Sequence, residues 1–212
     1  MFELLVFDLD GTLVDSKRDI ALSANVTLEE MGFERRDPEV VYGYIGGGVH
    51  NLVLRSMGEE HAGRLDEGVG RFWANYKAHV LDSTLPYPGV QELLGSLAGR
   101  RMAVVTNKPY EHTRMVLDGL GLAKYFMNIQ GWRLGFKVKP DPELLVRALR
   151  ETSTPSDGAV MIGDGISDVM AARAAGTKSC AVGYGYGRKA ALMEAMPDYF
   201  ADEVPDIGRL FA

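Results

Sequence analysis

VFDLDGTLVDS, residues 6–16, reads as the end of a buried strand that runs into two carboxylates, Asp8 and Asp10, and then a Gly-Thr turn. With Phe2, Leu4 and Leu5 ahead of it, the stretch forms a nearly continuous apolar run. That is the pattern of a strand covered on both faces in a parallel sheet. Carboxylates at the end of such a strand need a reason, because buried charge is costly unless it is paired, hydrogen-bonded or bound to a cation. Two of them one residue apart point to a metal that takes oxygen ligands. A spacing of two also directs both side chains to the same side, provided the strand geometry persists to Asp10.

Downstream, the character of the chain changes. Ile20, Ala24, Leu28 and Met31 fall at helical spacing before Gly32, and Ala62, Leu65, Val69, Phe72, Trp73, Tyr76 and Val80 give a second amphipathic pattern. Between them Gly46, Gly47 and Gly48 precede a short helix carrying His50 and Arg55. LPYPGV, residues 85–90, punctuates the return. Residues 16–83 are therefore expected to form a helical insert, with 1–15 and 84–212 making an α/β core.

Beyond Gly89 helix and strand alternate. Val90, Leu93, Leu94 and Leu97 mark a helix, MAVVT a strand ending at Thr106, and Tyr110 to Leu120 the next helix; YFMNIQ is a candidate strand. A helix over 141–151, the strand AVMIG at 159–163, a helix over 166–175, the strand KSCAVG, a helix over roughly 188–195 and DYFA complete the series. Parallel neighbours need crossover connections, so this alternation predicts a doubly wound α/β parallel sheet.

Composition excludes several classes. The chain has 212 residues, 46% of them hydrophobic, enough for a real core in one large or two small domains. Its 23 basic and 29 acidic residues give a net charge of −6, and no basic block stands out, which argues against nucleic acid as a partner. Cys180 is the sole cysteine, so no internal disulfide can form, and a reducing compartment is expected. The N-terminal apolar run is too short for a signal peptide and no stretch reaches membrane length. A cytoplasmic location without membrane contact follows as the expectation; oligomeric state is not legible.

In a doubly wound sheet ligands bind beyond the carboxyl ends of the strands. Polar residues stand at four such ends: Asp8 with Asp10, Thr106 with Asn107, Lys139 in KVKPDP, and Asp164 with Asp168 in IGDGISD. In that order DLDGT (8–12), TN (106–107), KPDP (139–142) and GDGISD (163–168) resemble the four motifs of the haloacid dehalogenase superfamily of phosphohydrolases. DGTLVDS, TNKP, AKYF (123–126), ARAAG (172–176) and VGYGYG are similar to its phosphoglycolate phosphatase branch. The resemblance covers the core well and the insert less closely. It implies a Rossmann-like core with an inserted all-helical cap, acting as a Mg²⁺-dependent phosphatase of small phosphorylated metabolites.

The chemistry can be argued beside the resemblance. A covalent intermediate divides slow phosphate-ester hydrolysis into two easier steps, and a carboxylate is a suitable nucleophile. Asp8 is assigned that role, and Asp10 the general acid to the leaving alcohol and then base to water. By resemblance the metal ligands are the Asp8 carboxylate, the Asp10 backbone carbonyl and Asp164, with Asp168 behind them orienting ligands or Lys139. Asp10 as a mere further ligand, and Asp164 and Asp168 as helix caps, are the plainer readings. Lys139 would neutralise phosphoryl charge, with Lys137 the competitor, while Thr106 and Asn107 donate to phosphate oxygens; alone, TN is more often a helix cap.

Other features are weaker. Gly46, Gly47 and Gly48 read equally as a substrate loop or a helix–helix turn, and Arg55 as a partner for a substrate carboxylate or an exposed helix arginine. His50, His61, His79 and His112 lack metal-ligand spacing, and GYGYGRK (183–189) matches neither a dinucleotide fingerprint nor a nucleotide phosphate loop; a turn bordering the site is expected there. GWRLGFKVKP and Gly165 depart from the branch and bear on substrate choice. Two alternatives remain: a sugar phosphomutase, which returns the phosphoryl group to a sugar, and a non-catalytic phosphometabolite-binding protein on the same fold.

Overall fold

All four side chains of Leu4–Phe7 are fully buried, so both faces of this strand are covered. The computed structural model describes residues 2–212. In chain order its elements are β1 (Leu4–Phe7), β2 (Val14–Asp15), α1 (Lys17–Glu30), α2 (Pro38–Tyr42), α3 (Val49–Met57), α4 (Leu65–His79), β3 (Leu85–Pro86), α5 (Val90–Ser96) and β4 (Arg101–Pro109). Then follow α6 (Tyr110–Gly119), β5 (Asn128–Trp132), α7 (Glu143–Glu151), β6 (Ala159–Gly163), α8 (Ile166–Ala175), β7 (Lys178–Val182), α9 (Lys189–Glu194), β8 (Tyr199–Ala201) and α10 (Val204–Phe211).

The chain divides into two compact units, Met1–Asp15 with Pro86–Ala212, and Ser16–Leu85. The first is the α/β core. Its sheet has six strands in the order β5-β4-β1-β6-β7-β8, and every pairing is parallel. Order reverses around β1, which lies between β4 and β6, and this switch point is where the fold opens a crevice for a ligand. Leu4, Val6, Ala103, Val105, Ala159 and Met161 form one sheet face and pack on Leu144, Leu145, Ala148 and Leu149 of α7 and Ala172 of α8. Leu5, Phe7, Met102, Val104, Val160 and Ile162, which alternate with them, are buried on the opposite face. The doubly wound α/β expectation holds.

Some boundaries differ from the sequence reading. β4 continues past Thr106 to Pro109, because Pro109 pairs with Trp132 after a register shift. β5 begins only at Asn128, since Ala123–Tyr125 tightens into a 3₁₀ turn. The sequence reading stopped at DYFA and did not anticipate α10, whose Val204, Ile207 and Phe211 are buried at helical spacing. Phe211 meets Phe2 and Tyr199 edge to face.

The second unit is built from helices, with Leu85 of β3 at its end. α1 packs on α4, with Asn75 Nδ2 donating to Thr27 Oγ1 at 3.1 Å, and α3 approaches α4 closely at Gly68. A Cβ there would come within 2.8 Å of Met57 Sδ and Val53 Cγ1. Expected to be helical from about Ala62, the second long segment instead starts with a 3₁₀ stretch, Glu59–Arg64, before α4. Asp19, on the first turn of α1 and 1% exposed, gathers the end of the unit: it accepts from Ser83 N (2.9 Å), Thr84 N (2.8 Å) and Thr84 Oγ1 (2.6 Å). Asp19→Ala would leave the two buried Thr84 donors without their acceptor, and we expect a loss of about 3 kcal/mol in urea unfolding of the protein.

Candidate active site

β1 ends at Phe7, and the backbone N–H of Asp8 donates to the carbonyl of Ile162 on β6 (2.9 Å), so Asp8 stands at the switch point. The chain then turns at once. Thr12, Leu13 and Val14 donate their N–H groups to the Leu9 carbonyl, and Gly11 adopts φ 86°, a left-handed conformation costly for any residue with a Cβ. A Cβ on Gly11 would also overlap the Asp164 carboxylate. The regular strand therefore stops before Asp10, and the two carboxylates are taken up by different cations.

Lys139 holds the first. Its Nζ lies 2.8 Å from Asp8 Oδ1 and 2.6 Å from Asp168 Oδ1, and donates to the Val105 carbonyl at 3.0 Å. The Asp8 contact is an ion pair between the ammonium and the carboxylate. Lys108 holds the second: its Nζ meets both oxygens of Asp10, at 2.9 and 3.0 Å. Its side chain is 4% exposed and that of Asp10 16%. Sequence reasoning passed over Lys108, although it follows TN directly in TNKP.

Asn107 and Thr106 set the strand end that carries Lys108. The Asn107 carboxamide clamps the backbone of Lys139, donating to its carbonyl (3.0 Å) and accepting from its N–H (2.7 Å). This engages the side chain that the sequence reading gave to phosphate. Thr106 Oγ1 accepts from Lys108 N at 3.2 Å, which leaves its proton to donate. Lys137 lies at the surface on Asp141, so Lys139 is the lysine the structure brings to the carboxylates.

The acidic residues after β6 divide in the same way. Asp168 serves two purposes at once: Oδ1 takes Lys139, and Oδ2 accepts from Gly165 N (2.9 Å), capping α8. Asp164 is bound by Thr12, whose hydroxyl donates to Oδ1 (3.2 Å) and accepts from Asp164 N (3.1 Å), and by Tyr186 N on Oδ2 (2.7 Å). GYGYG thus forms part of the site wall. A Cβ at Gly185 or Gly187 would overlap Asp164, and Tyr184 and Tyr186 donate their hydroxyls to Thr12 O (2.9 Å) and Asp15 Oδ1 (3.1 Å). Neither tyrosine was singled out from sequence; the glycine alternation was the available signal.

Asp8, Asp164 and Asp168 each offer an oxygen within 4.8 Å of the others. Burial raises Asp8 to about 6, opposed by Lys139 and reinforced by Asp168. Asp164 is raised to about 8 by burial and by the charges of Asp8 and Asp168. Burial opposes the charge of Lys139, but Asp168 and Asp8 together outweigh it and hold the ammonium above the ordinary lysine value. Three carboxylates share one buried ammonium, and the excess negative charge is what a divalent cation would relieve. Elsewhere, Cys180 is a buried free thiol that burial pushes up to about 12, too high for ready reactivity.

Gly46, Gly47, Gly48 and Arg55 belong to the helical unit. Gly46 and Gly48 take φ of 101° and 82° in the turn before α3, and the Arg55 guanidinium stacks 4.1 Å from the centre of the Tyr44 ring. No helix among the described residues is long and apolar enough to cross a membrane.

An aspartate at the switch point, a lysine bridging it to a second aspartate and a third carboxylate opposite make up the site. The profile of the haloacid dehalogenase-like hydrolases matches residues 5–182, and the chain belongs to that family. Its relatives include the phosphoglycolate phosphatases of Aquifex aeolicus, 34% identical over 98% of this chain and 95% of that protein, and of Pseudomonas savastanoi, 36% identical over 95% and 77%. Among solved structures, a predicted phosphoglycolate phosphatase from Haemophilus somnus superposes with a TM-score of 0.91 at 28% identity, covering 100% of this chain and 98% of that one. The chain is a phosphoric monoester hydrolase by class.

The raised carboxylates carry a pH consequence for the metal-free protein. Between the ordinary value of 3.8 and about 8 the folded state binds more protons at Asp8 and Asp164 than the unfolded chain does. Stability contributed by these groups is therefore highest below that window and falls as pH rises through it. Thermal melts in chelator at pH 5 and pH 8 should show a larger fall for the wild type than for Asp164→Asn.

Proposed function

We propose that the chain is a Mg²⁺-dependent phosphatase of small phosphorylated metabolites, with 2-phosphoglycolate the first candidate substrate, working through a phosphoryl group carried on Asp8. The observation that carries the reading is the Asp8 carboxylate itself, held 2.8 Å from the Lys139 ammonium at the end of β1, while the nearby Asp10 is held separately by Lys108. The names of the relatives support the substrate class.

The donor set fits Mg²⁺, which takes oxygen ligands and works with one or two carboxylates. Asp8 and Asp164 would be the side-chain ligands, with the Asp10 backbone carbonyl beside them and Asp168 behind, holding Lys139 with one oxygen and capping α8 with the other. When bound, the ion offsets the repulsion between the Asp8 carboxylate and the phosphoryl oxygens.

The residues then divide the reaction. The Asp8 carboxylate attacks phosphorus, the ester P–O bond breaks, and the Asp10 carboxyl gives its proton to the departing alkoxide. Water next attacks the phosphorus on Asp8, Asp10 takes a proton from that water, and phosphate leaves with Asp8 restored. Lys139 holds Asp8 in place and adds positive charge near the phosphoryl group, and the Thr106 hydroxyl donates to one of its oxygens. Asn107 acts by fixing the backbone of Lys139.

Phosphate release from a panel of phosphorylated metabolites, with and without Mg²⁺, tests the reading; it fails if no ester is turned over. Asp8→Asn should lower kcat by roughly 10³-fold or more with an unchanged melting profile, and near-normal kcat would remove Asp8 from the role of nucleophile. Asp10→Asn should impair alkyl phosphates more than activated aryl phosphates, because only the former need a proton on the leaving oxygen. Equal losses on both would count against the acid role.

A further inference from the structure

Lys108 is a buried ammonium on the leaving-group side of the proposed reaction, and its position is fixed. Its N–H donates to Thr106 Oγ1 (3.2 Å), and its carbonyl accepts from Thr113 Oγ1 (3.3 Å). Gly131 on β5 comes so close that a Cβ would stand 2.9 Å from that carbonyl and 2.6 Å from Tyr110 Cα. The ammonium is therefore anchored by its strand end, not by a flexible loop.

At rest both oxygens of Asp10 lie on it, at 2.9 and 3.0 Å. Resting on the reading of Asp10 above, turnover draws at least one of those oxygens towards the ester oxygen. A carboxylate arriving with the substrate would make up the contact, and the pairing with Asp10 shows that the ammonium accepts a carboxylate with both oxygens in reach. We propose that Lys108 is a specificity-determining residue that binds a carboxylate on the leaving group, taking it in exchange for Asp10.

The geometry also limits the length of that leaving group. In its resting place, with both oxygens on Lys108, Asp10 would meet an ester oxygen through one further hydrogen bond, so before the exchange the ammonium lies within about 6 Å of where that oxygen arrives. That span suits the phosphate ester of a short hydroxy acid, whose carboxylate is one or two carbons from the ester oxygen. A long leaving group would carry its charge past Lys108.

The test compares 2-phosphoglycolate with 2-hydroxyethyl phosphate, which replaces the carboxylate by an uncharged hydroxymethyl group of similar size. For Lys108→Met the ratio of kcat/KM for the first ester to that for the second should fall roughly 10- to 100-fold, mainly through KM, and Lys108→Arg should recover part of it. Lys108→Gln provides the same reading should the Met variant not fold. An unchanged ratio, with both esters losing alike, would overturn the proposal and reduce Lys108 to a support for Asp10. No turnover of either ester by the wild type would instead overturn 2-phosphoglycolate as the candidate substrate, and the proposal with it.

Discussion

One ammonium holds this site together. Lys139 reaches from the segment before α7 to Asp8 at the end of β1, to the Val105 carbonyl on β4 and to Asp168 on α8. Ionic groups this deep gain stability only when geometry and remaining hydrogen bonds are satisfied, and removing one partner of such a pair typically costs about 3–5 kcal/mol. Here satisfaction is shared: Asp168 takes Lys139 with one oxygen and caps α8 with the other, while Asn107 fixes the backbone from which Lys139 extends. Four elements are thereby registered on a single nitrogen, which also holds the acid left raised to about 6. The network is incomplete in charge, and the excess at Asp8 and Asp164 is the part that a bound cation would balance.

Close approach of backbone is the second constraint, and glycine supplies it. Gly11 turns the chain between Asp10 and Thr12 where any side chain would meet Asp164, and Gly185 and Gly187 bring the loop after β7 against the same residue. The loop then holds Asp164 through Tyr186 N and reaches Asp15 with the same tyrosine's hydroxyl. Asp164 is thus enclosed by backbone on one side and by Thr12 on the other. Its high value follows from that enclosure, since burial is the largest contribution.

Much of this was legible in the chain because it depends on local patterns. Apolar runs ending in polar residues gave β1, β4 and β6 with their functional ends, and helical spacing gave α7 and α8 almost to the residue. What could not be read was which side chain meets which. Lys108 follows the two residues taken as a phosphate site, yet its partner Asp10 lies 98 positions away. Asn107 was read as a phosphate donor, and its carboxamide also clamps the backbone of Lys139, 32 positions on, with its oxygen and one of its two N–H groups. Tyr186 looked like part of a turn because its N–H and hydroxyl partners, Asp164 and Asp15, are remote in sequence. The missed α10 is of another kind: eight residues beginning with a proline in the first turn give a short apolar pattern that becomes a helix only against Phe2 and Tyr199.

The two aspartates of the opening motif are chemically identical and two residues apart, so their environments must make any difference between them. A strand continuing to Asp10 would have placed both carboxylates on one face, competing for the same cation. The turn at Gly11 prevents this. Asp8 stays at the end of β1 with Lys139, Asp168 and Asp164, where burial raises it against the Lys139 ammonium 2.8 Å away. Asp10, about as exposed as Asp8 (16% against 13%), leaves the strand and pairs with Lys108 through both oxygens. On the proposed roles, a nucleophile needs a fixed position, whereas a proton carrier needs a partner it can leave. Separate lysines meet those unlike demands, and the glycine between the two environments keeps them apart.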